Sequence, residues 1–123
     1  MTYGRSENGK IGEKMIREFI MTPTFDRRWE NLNLNDDDLQ ELQNYIMKNP
    51  NAGDVIPDTG GAIKLRWLLG NRGKRGGVRI IYADIVRKAR THLLICYSKN
   101  EQDNISNEQK KQLREVMKKL KGE

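Results

Sequence analysis

A chain of 123 residues, 36% hydrophobic and 33% charged, with a formal net charge of +6, is bounded to one domain with a modest core and a wet surface. Its single cysteine, Cys96, excludes an internal disulfide and the cysteine-based zinc patterns, and its single histidine, His92, excludes a multi-histidine metal site. No apolar run reaches membrane-spanning length and the first residues carry no signal-peptide core, so no membrane partner is expected and a cytoplasmic location is.

In chain order, residues 1–14 are polar, contain glycine and have no period; they are expected to form a flexible N-terminal extension to a single domain over 15–123. Ile16-Arg17-Glu18-Phe19-Ile20 alternates in part and reads as a first strand. Thr22-Pro23-Thr24 supplies a capping threonine and a first-turn proline for a short helix, whose apolar residues Phe25, Trp29 and Leu32 recur at i, i+4 and i+7. Asn35-Asp36-Asp37-Asp38 opens a second helix, with acidic groups at the positive end of its dipole. Leu39, Leu42 and Ile46 line one face, and Asn49-Pro50 ends it. Residues 51–61 are rich in Gly, Pro and Asp and read as a loop.

Three alternating runs follow: Ile63, Leu65 and Trp67; Val78, Ile80 and Tyr82; Leu93, Ile95 and Tyr97. Their short connections, 70–77 and 84–90, favour an antiparallel meander. Ser106 and Gln109 have capping-box spacing and open a last helix, with Leu113, Val116, Met117 and Leu120 as its apolar stripe and Lys110, Lys111, Lys118 and Lys119 as a solvated face. The order strand, two helices, three strands, helix predicts an α+β fold on a small antiparallel sheet, with helices on one face and the other face open. Lys64, Arg66 and Arg79 alternate with core residues and are expected on that open face.

Charge is unevenly distributed. Residues 62–99 hold ten basic residues (Lys64, Arg66, Arg72, Lys74, Arg75, Arg79, Arg87, Lys88, Arg90 and Lys99) against one acid, Asp84, whereas the rest of the chain is mildly acidic. A cationic block of this kind points to an anionic partner such as nucleic acid.

The chemistry available to it is narrow. There is no Ser-His-Asp set, the Gly-rich basic stretch 70–77 lacks the spacing of a phosphate-binding P-loop, and no carboxylates gather in the block to hold paired metals. Cleavage of RNA, however, needs no protein nucleophile, because the ribose 2′-hydroxyl attacks. It needs a base for that proton, donors for the charged phosphorane and an acid for the leaving oxygen. Arginine forks suit phosphate oxygens, and a lysine crowded by like charges suits proton transfer. Tyr82 and Tyr97 are expected to pack in the core or at an edge, His92 to lie at the surface or a turn, and Cys96 to serve as a small core residue.

Three segments carry a family resemblance: Gly60-Gly61-Ala62-Ile63-Lys64-Leu65-Arg66-Trp67, Gly73-Lys74-Arg75-Gly76-Gly77-Val78-Arg79-Ile80-Ile81-Tyr82, and Leu93-Leu94-Ile95-Cys96-Tyr97-Ser98-Lys99-Asn100-Glu101. Together with Asn104-Ile105-Ser106-Asn107-Glu108 and the opening from Met15 to Trp29, they resemble the RelE/HigB superfamily of toxin–antitoxin toxins, on its HigB side, over nearly the whole chain. The resemblance implies a fold related to microbial ribonucleases. It implies a toxin that enters the ribosomal A site and cuts the message without metal or other cofactor. It also implies a cognate antitoxin, often one with a helix-turn-helix DNA-binding domain. By position it matches Lys64, Arg66, Arg79 and Lys99, with Lys74 and Arg75 in a loop kept basic; the candidates are Lys64, Arg66, Lys74, Arg79 and Lys99 for catalysis and Asn71, Arg72, Arg75 and Tyr97 for RNA contact.

Two positions depart from the family pattern. Ala62 stands where some members have a second lysine, and Ile105-Ser106 where some have a tyrosine acting as base. The base is left among Lys64, Lys74 and Lys99. Two other classes share the outline: ParE-like toxins of the same fold, which inhibit DNA gyrase, and a module that binds nucleic acid without cutting it.

Overall fold

The computed structural model describes residues 5–11, 15–50, 52–67, 77–102 and 104–122, with side chains from Arg17 onward. Strands β1 (Arg5–Ile11) and β2 (Met15–Met21) are followed by helices α1 (Pro23–Asn31) and α2 (Asp36–Lys48), then by β3 (Asp54–Val55), β4 (Ile63–Trp67), β5 (Val78–Ile85) and β6 (Arg90–Ser98), and by α3 (Asn107–Leu120). The six strands form one sheet in the order β1-β2-β6-β5-β4-β3. The α+β class and the meander β4-β5-β6 are as expected, all antiparallel.

Three features depart from expectation. Within the presumed flexible extension, Arg5–Ile11 is an edge strand paired antiparallel with β2. Edge pairing draws on backbone groups alone, so it requires no apolar alternation and leaves no periodic signal in the residues. The sheet is mixed: β2 pairs parallel with β6. The chain leaves β2 through two helices and crosses back before β6 is laid down, and such a crossover permits parallel pairing. Finally, the sheet face opposite α1 and α2 is not open, because α3 covers part of it.

The caps form as their spacing requires. Thr22 accepts from the Phe25 amide, and Asn35 with Asp38, and Ser106 with Gln109, close reciprocal capping boxes. One core layer lies between the sheet and α1–α2. It contains Phe25, Trp29, Leu39, Leu42 and Ile46 against Phe19, Leu65, Trp67, Ile80 and Cys96. Trp29 stacks between Phe25 and Trp67 at centroid distances of 5.4 and 5.7 Å, and its indole N–H donates to the Asn35 carbonyl at 3.0 Å. The other layer sets Leu113 and Met117 of α3 on Ile81, Ala83, Leu94 and Tyr97. Strand β5 is therefore buried on both faces.

The 52–62 segment ties this second layer together. Thr59, fully buried, donates to the Ile56 carbonyl at 2.7 Å and accepts from the Ala62 amide at 3.1 Å. Gly53 lies hard against β4: an added Cβ would stand 2.4 Å from Ile63 Cγ2 and 2.9 Å from the Lys64 carbonyl oxygen. Gly53→Ala will therefore push β3 off β4 and cost about 1–3 kcal/mol, the usual range for overpacking. Urea unfolding checks it, and an unchanged midpoint contradicts it.

His92 also departs from expectation. It is 5% exposed on β6, not at the surface. Burial, and then Arg90 and Lys88, lower its pKa from 6.5. Because the folded pKa lies below the unfolded one, the unfolded chain takes the proton first. Stability is thus full above about pH 6.5 and falls as pH drops through that value. Between pH 7.5 and 5.5, above the carboxylate range, the urea midpoint will fall, and in His92→Gln it will fall less. Equal falls in both proteins refute this.

Candidate RNA-binding face

The register of the meander builds the site. Arg66 of β4 lies opposite Arg79 of β5, and Arg79 lies opposite Tyr97 of β6. Residues in direct register share a sheet face, so these three side chains form one row across three strands. Exposure falls along the row. Arg66 is exposed, Arg79 is 8% exposed and Tyr97 is fully buried, because α3 covers the β6 side. Lys64, two residues before Arg66 on the same strand face, is half-buried.

The cationic block of the sequence divides between the two ends of the sheet. At one end Trp67, Val78 and Ser98 are in register, and Lys99, exposed, follows directly after β6. The turn after Ser98 is fixed by Glu101, which accepts from the Ser98 amide at 3.1 Å and from Arg28 of α1 at 3.0 Å. At the other end, Arg87 and Lys88 donate to the carbonyls of Lys121 and Leu120, capping the negative end of α3, and Arg90 pairs with Glu18 at 3.0 Å. Asp84, the one acid of the block, is held there by Arg17 at 3.3 Å and Thr91 at 3.2 Å. Arg87, Lys88 and Arg90 are thus structural, and Asp84 is held away from the arginine row.

Of the residues expected from sequence, Lys64, Arg66 and Arg79 come together on one face, with Lys99 at the adjoining sheet end. Asn71, Arg72, Lys74 and Arg75 lie outside the described residues, in the segment joining β4 to β5. Tyr97 packs as its residue pattern predicts, which corrects its assignment to RNA contact. With no exposed surface it offers no ring face for a base to stack on, and it stands behind Arg79 as packing. Tyr82 and Cys96 pack as expected, and burial raises the pKa of each to about 12, so neither supplies an anion near neutrality.

Beside the row lies a groove of about 300 Å³ whose lining includes Lys64, Asp54, Asn104, Ile105 and Lys110 of α3. Lys110 was assigned to a solvated helix face by sequence. The signal lay in its spacing: it precedes Leu113 by three residues and Met117 by seven, which puts it on the buried stripe. Among the described residues, no three of His, Cys, Asp or Glu gather as a metal site, and no helix is long and apolar enough to cross a membrane.

Fold and face together define a small α+β domain with one cationic, strand-borne surface. The family model for the RelE toxin of the RelE/RelB toxin–antitoxin system matches residues 17–122, and the chain belongs to that family. Membership makes it the toxin of a toxin–antitoxin pair and implies a cognate antitoxin as partner.

Proposed function

We propose that this toxin is an endoribonuclease of the HigB-like kind, which cuts messenger RNA in the ribosomal A site and so stops translation. The observation that carries the reading is the register of Arg66 with Arg79 on one sheet face, with Lys64 beside them. Two guanidinium groups abreast present paired N–H forks to the non-bridging oxygens of one phosphate. As the ribose 2′-oxygen attacks phosphorus, negative charge grows on those oxygens, and fixed donors aimed at it lower the barrier.

The 2′-hydroxyl proton passes to a base, the bond to the 5′-oxygen breaks, and that oxygen takes a proton from an acid. A 2′,3′-cyclic phosphate and a 5′-hydroxyl remain. Lys64, Lys99 and Lys74 are the candidates for the proton steps, and Asn71, Arg72 and Arg75 for holding the flanking message. The basic groups on this face repel a metal ion, and the roles assigned to them need no other cofactor. The antitoxin, expected to carry a helix-turn-helix domain, neutralises the toxin, which acts in the cytoplasm.

The test is end-labelled message in a stalled translation complex, alongside the same message without ribosomes. A discrete cut in the A-site codon, only with ribosomes and ending in a cyclic phosphate, is the expected result. Intact message in both lanes overturns the reading, and inhibition of gyrase supercoiling instead would assign the chain to the ParE-like class.

A further inference from the structure

We propose that Lys110 of α3, which shares a groove with Lys64 of β4, forms a second phosphate subsite, which holds the RNA phosphate neighbouring the one gripped by Arg66 and Arg79. The inference rests on the reading of the arginine row as an RNA site and extends it to the third helix.

Five observations support it. The groove of about 300 Å³ is walled by residues from β3, β4, the 104–105 segment and α3, and both lysines face it. Both are half-buried. A lysine drawn partly out of water is normally paired, yet among the described residues neither side chain makes an ion pair or a hydrogen bond. The one carboxylate lining the groove, Asp54, is in backbone register with Lys64 and still forms no ion pair with it. Finally, Lys110 stands on the stripe of Leu113 and Met117, where burial would favour an apolar residue.

Two partly desolvated cations against the single carboxylate of Asp54 leave the groove with a net positive potential, which suits a compact anion such as the phosphate of an RNA backbone. The groove is also at the right pitch. Lys64 and Arg66 are two residues apart on one strand face, a separation of roughly 6.6 Å, comparable to the spacing of successive phosphates along a single strand. An RNA laid along β4 would place one phosphate at the arginines and the next at the lysines.

The probe is a fluorescent single-stranded RNA with every 2′-hydroxyl methylated, so that it cannot be cut. Binding is measured over a salt series with the full chain, unaltered and as Lys110→Gln, Lys110→Arg, Lys111→Gln and Asp54→Asn. The same proteins, and Arg66→Ala/Arg79→Ala, go into the ribosomal cleavage assay. Lys110→Gln is expected to lower the slope of log K against log salt by about 0.7, the value for one single-strand phosphate contact. Lys110→Arg should keep the slope, Lys111→Gln should leave it unchanged, and Asp54→Asn should strengthen binding. In cleavage, Lys110→Gln should raise KM by about tenfold with little change in kcat.

If Lys110→Gln changes neither slope nor KM while the double arginine variant loses cleavage, the subsite is wrong and the arginine site stands. An equal drop in slope for Lys111→Gln also overturns it, because the effect would then be diffuse charge. If the unaltered protein cuts nothing, the nuclease reading fails, and the salt slope alone decides the subsite; no binding by the unaltered protein refutes it.

Discussion

On the proposed nuclease reading, Arg79→Lys will lower the cleavage rate by at least about a hundredfold and leave the fold intact. Removing one preorganised donor from a developing oxyanion typically costs about 10²–10³ in rate, and Arg79 is the best preorganised donor on the face. It sits on the strand buried on both sides, 8% exposed, between Arg66 and Tyr97. Lysine keeps the charge and fills most of the same channel, so stability should move little. It cannot present two parallel N–H groups to one phosphate, so the fork is lost. Arg66 is exposed and free to change rotamer, and Arg66→Lys should cost less than Arg79→Lys. Single-turnover cleavage on programmed ribosomes measures both, with a melting curve to verify folding. Equal rates for Arg79→Lys and the unaltered chain would remove the bidentate clamp from the mechanism, and a larger loss at Arg66 would reverse the assignment of roles.

The depth of Arg79 could not be read from sequence. Alternation placed Lys64, Arg66 and Arg79 on one face, correctly, because side-chain period is a local property of a strand. It could not place α3, whose stripe declares that it covers something without saying what. Once α3 lies over Ile81 and Tyr97, Arg79 changes from a surface residue to an anchored one, and Tyr97 from a stacking platform to its backing. The same long-range packing buries His92, which local pattern placed at the surface. β1 was hidden for a different reason: an edge strand recruited by backbone pairing leaves no periodic trace. The parallel pairing of β2 with β6 likewise joins segments far apart in the chain. The charge block was legible as composition. Only the register showed that Arg87, Lys88 and Arg90 serve the far end of the sheet, where α3 ends and Glu18 waits. Lys110, by contrast, was legible in principle, since its spacing from Leu113 and Met117 is a local fact.

Met117→Ala will cost about 2–5 kcal/mol, the range for truncating a buried long side chain. Met117 is 3% exposed and is the point at which α3 meets both the sheet layer and the 52–62 segment. Gly60 and Gly61, both at positive φ, allow that segment's backbone to come so close that a Cβ on Gly60 would stand 3.3 Å from the Met117 Cβ. Contacts this close cannot collapse around a smaller residue, so a cavity should persist. A loss of that size is a large share of the roughly 5–15 kcal/mol that holds such a domain together. Amide exchange would locate it. If α3 docks as a separate unit, its amides and those around Thr59 should lose protection well before those of α1 and α2, whose core around Trp29 is on the other face. Uniform loss of protection would mean that the two layers unfold as one, and a midpoint shift below about 1 kcal/mol would mean that Met117 is not the anchor. The first outcome bears on function, because α3 carries Lys110 and its docking sets how deeply Arg79 is held. On the proposed nuclease reading, a toxin with a loosened α3 should then cut message more slowly even where the sheet itself remains folded.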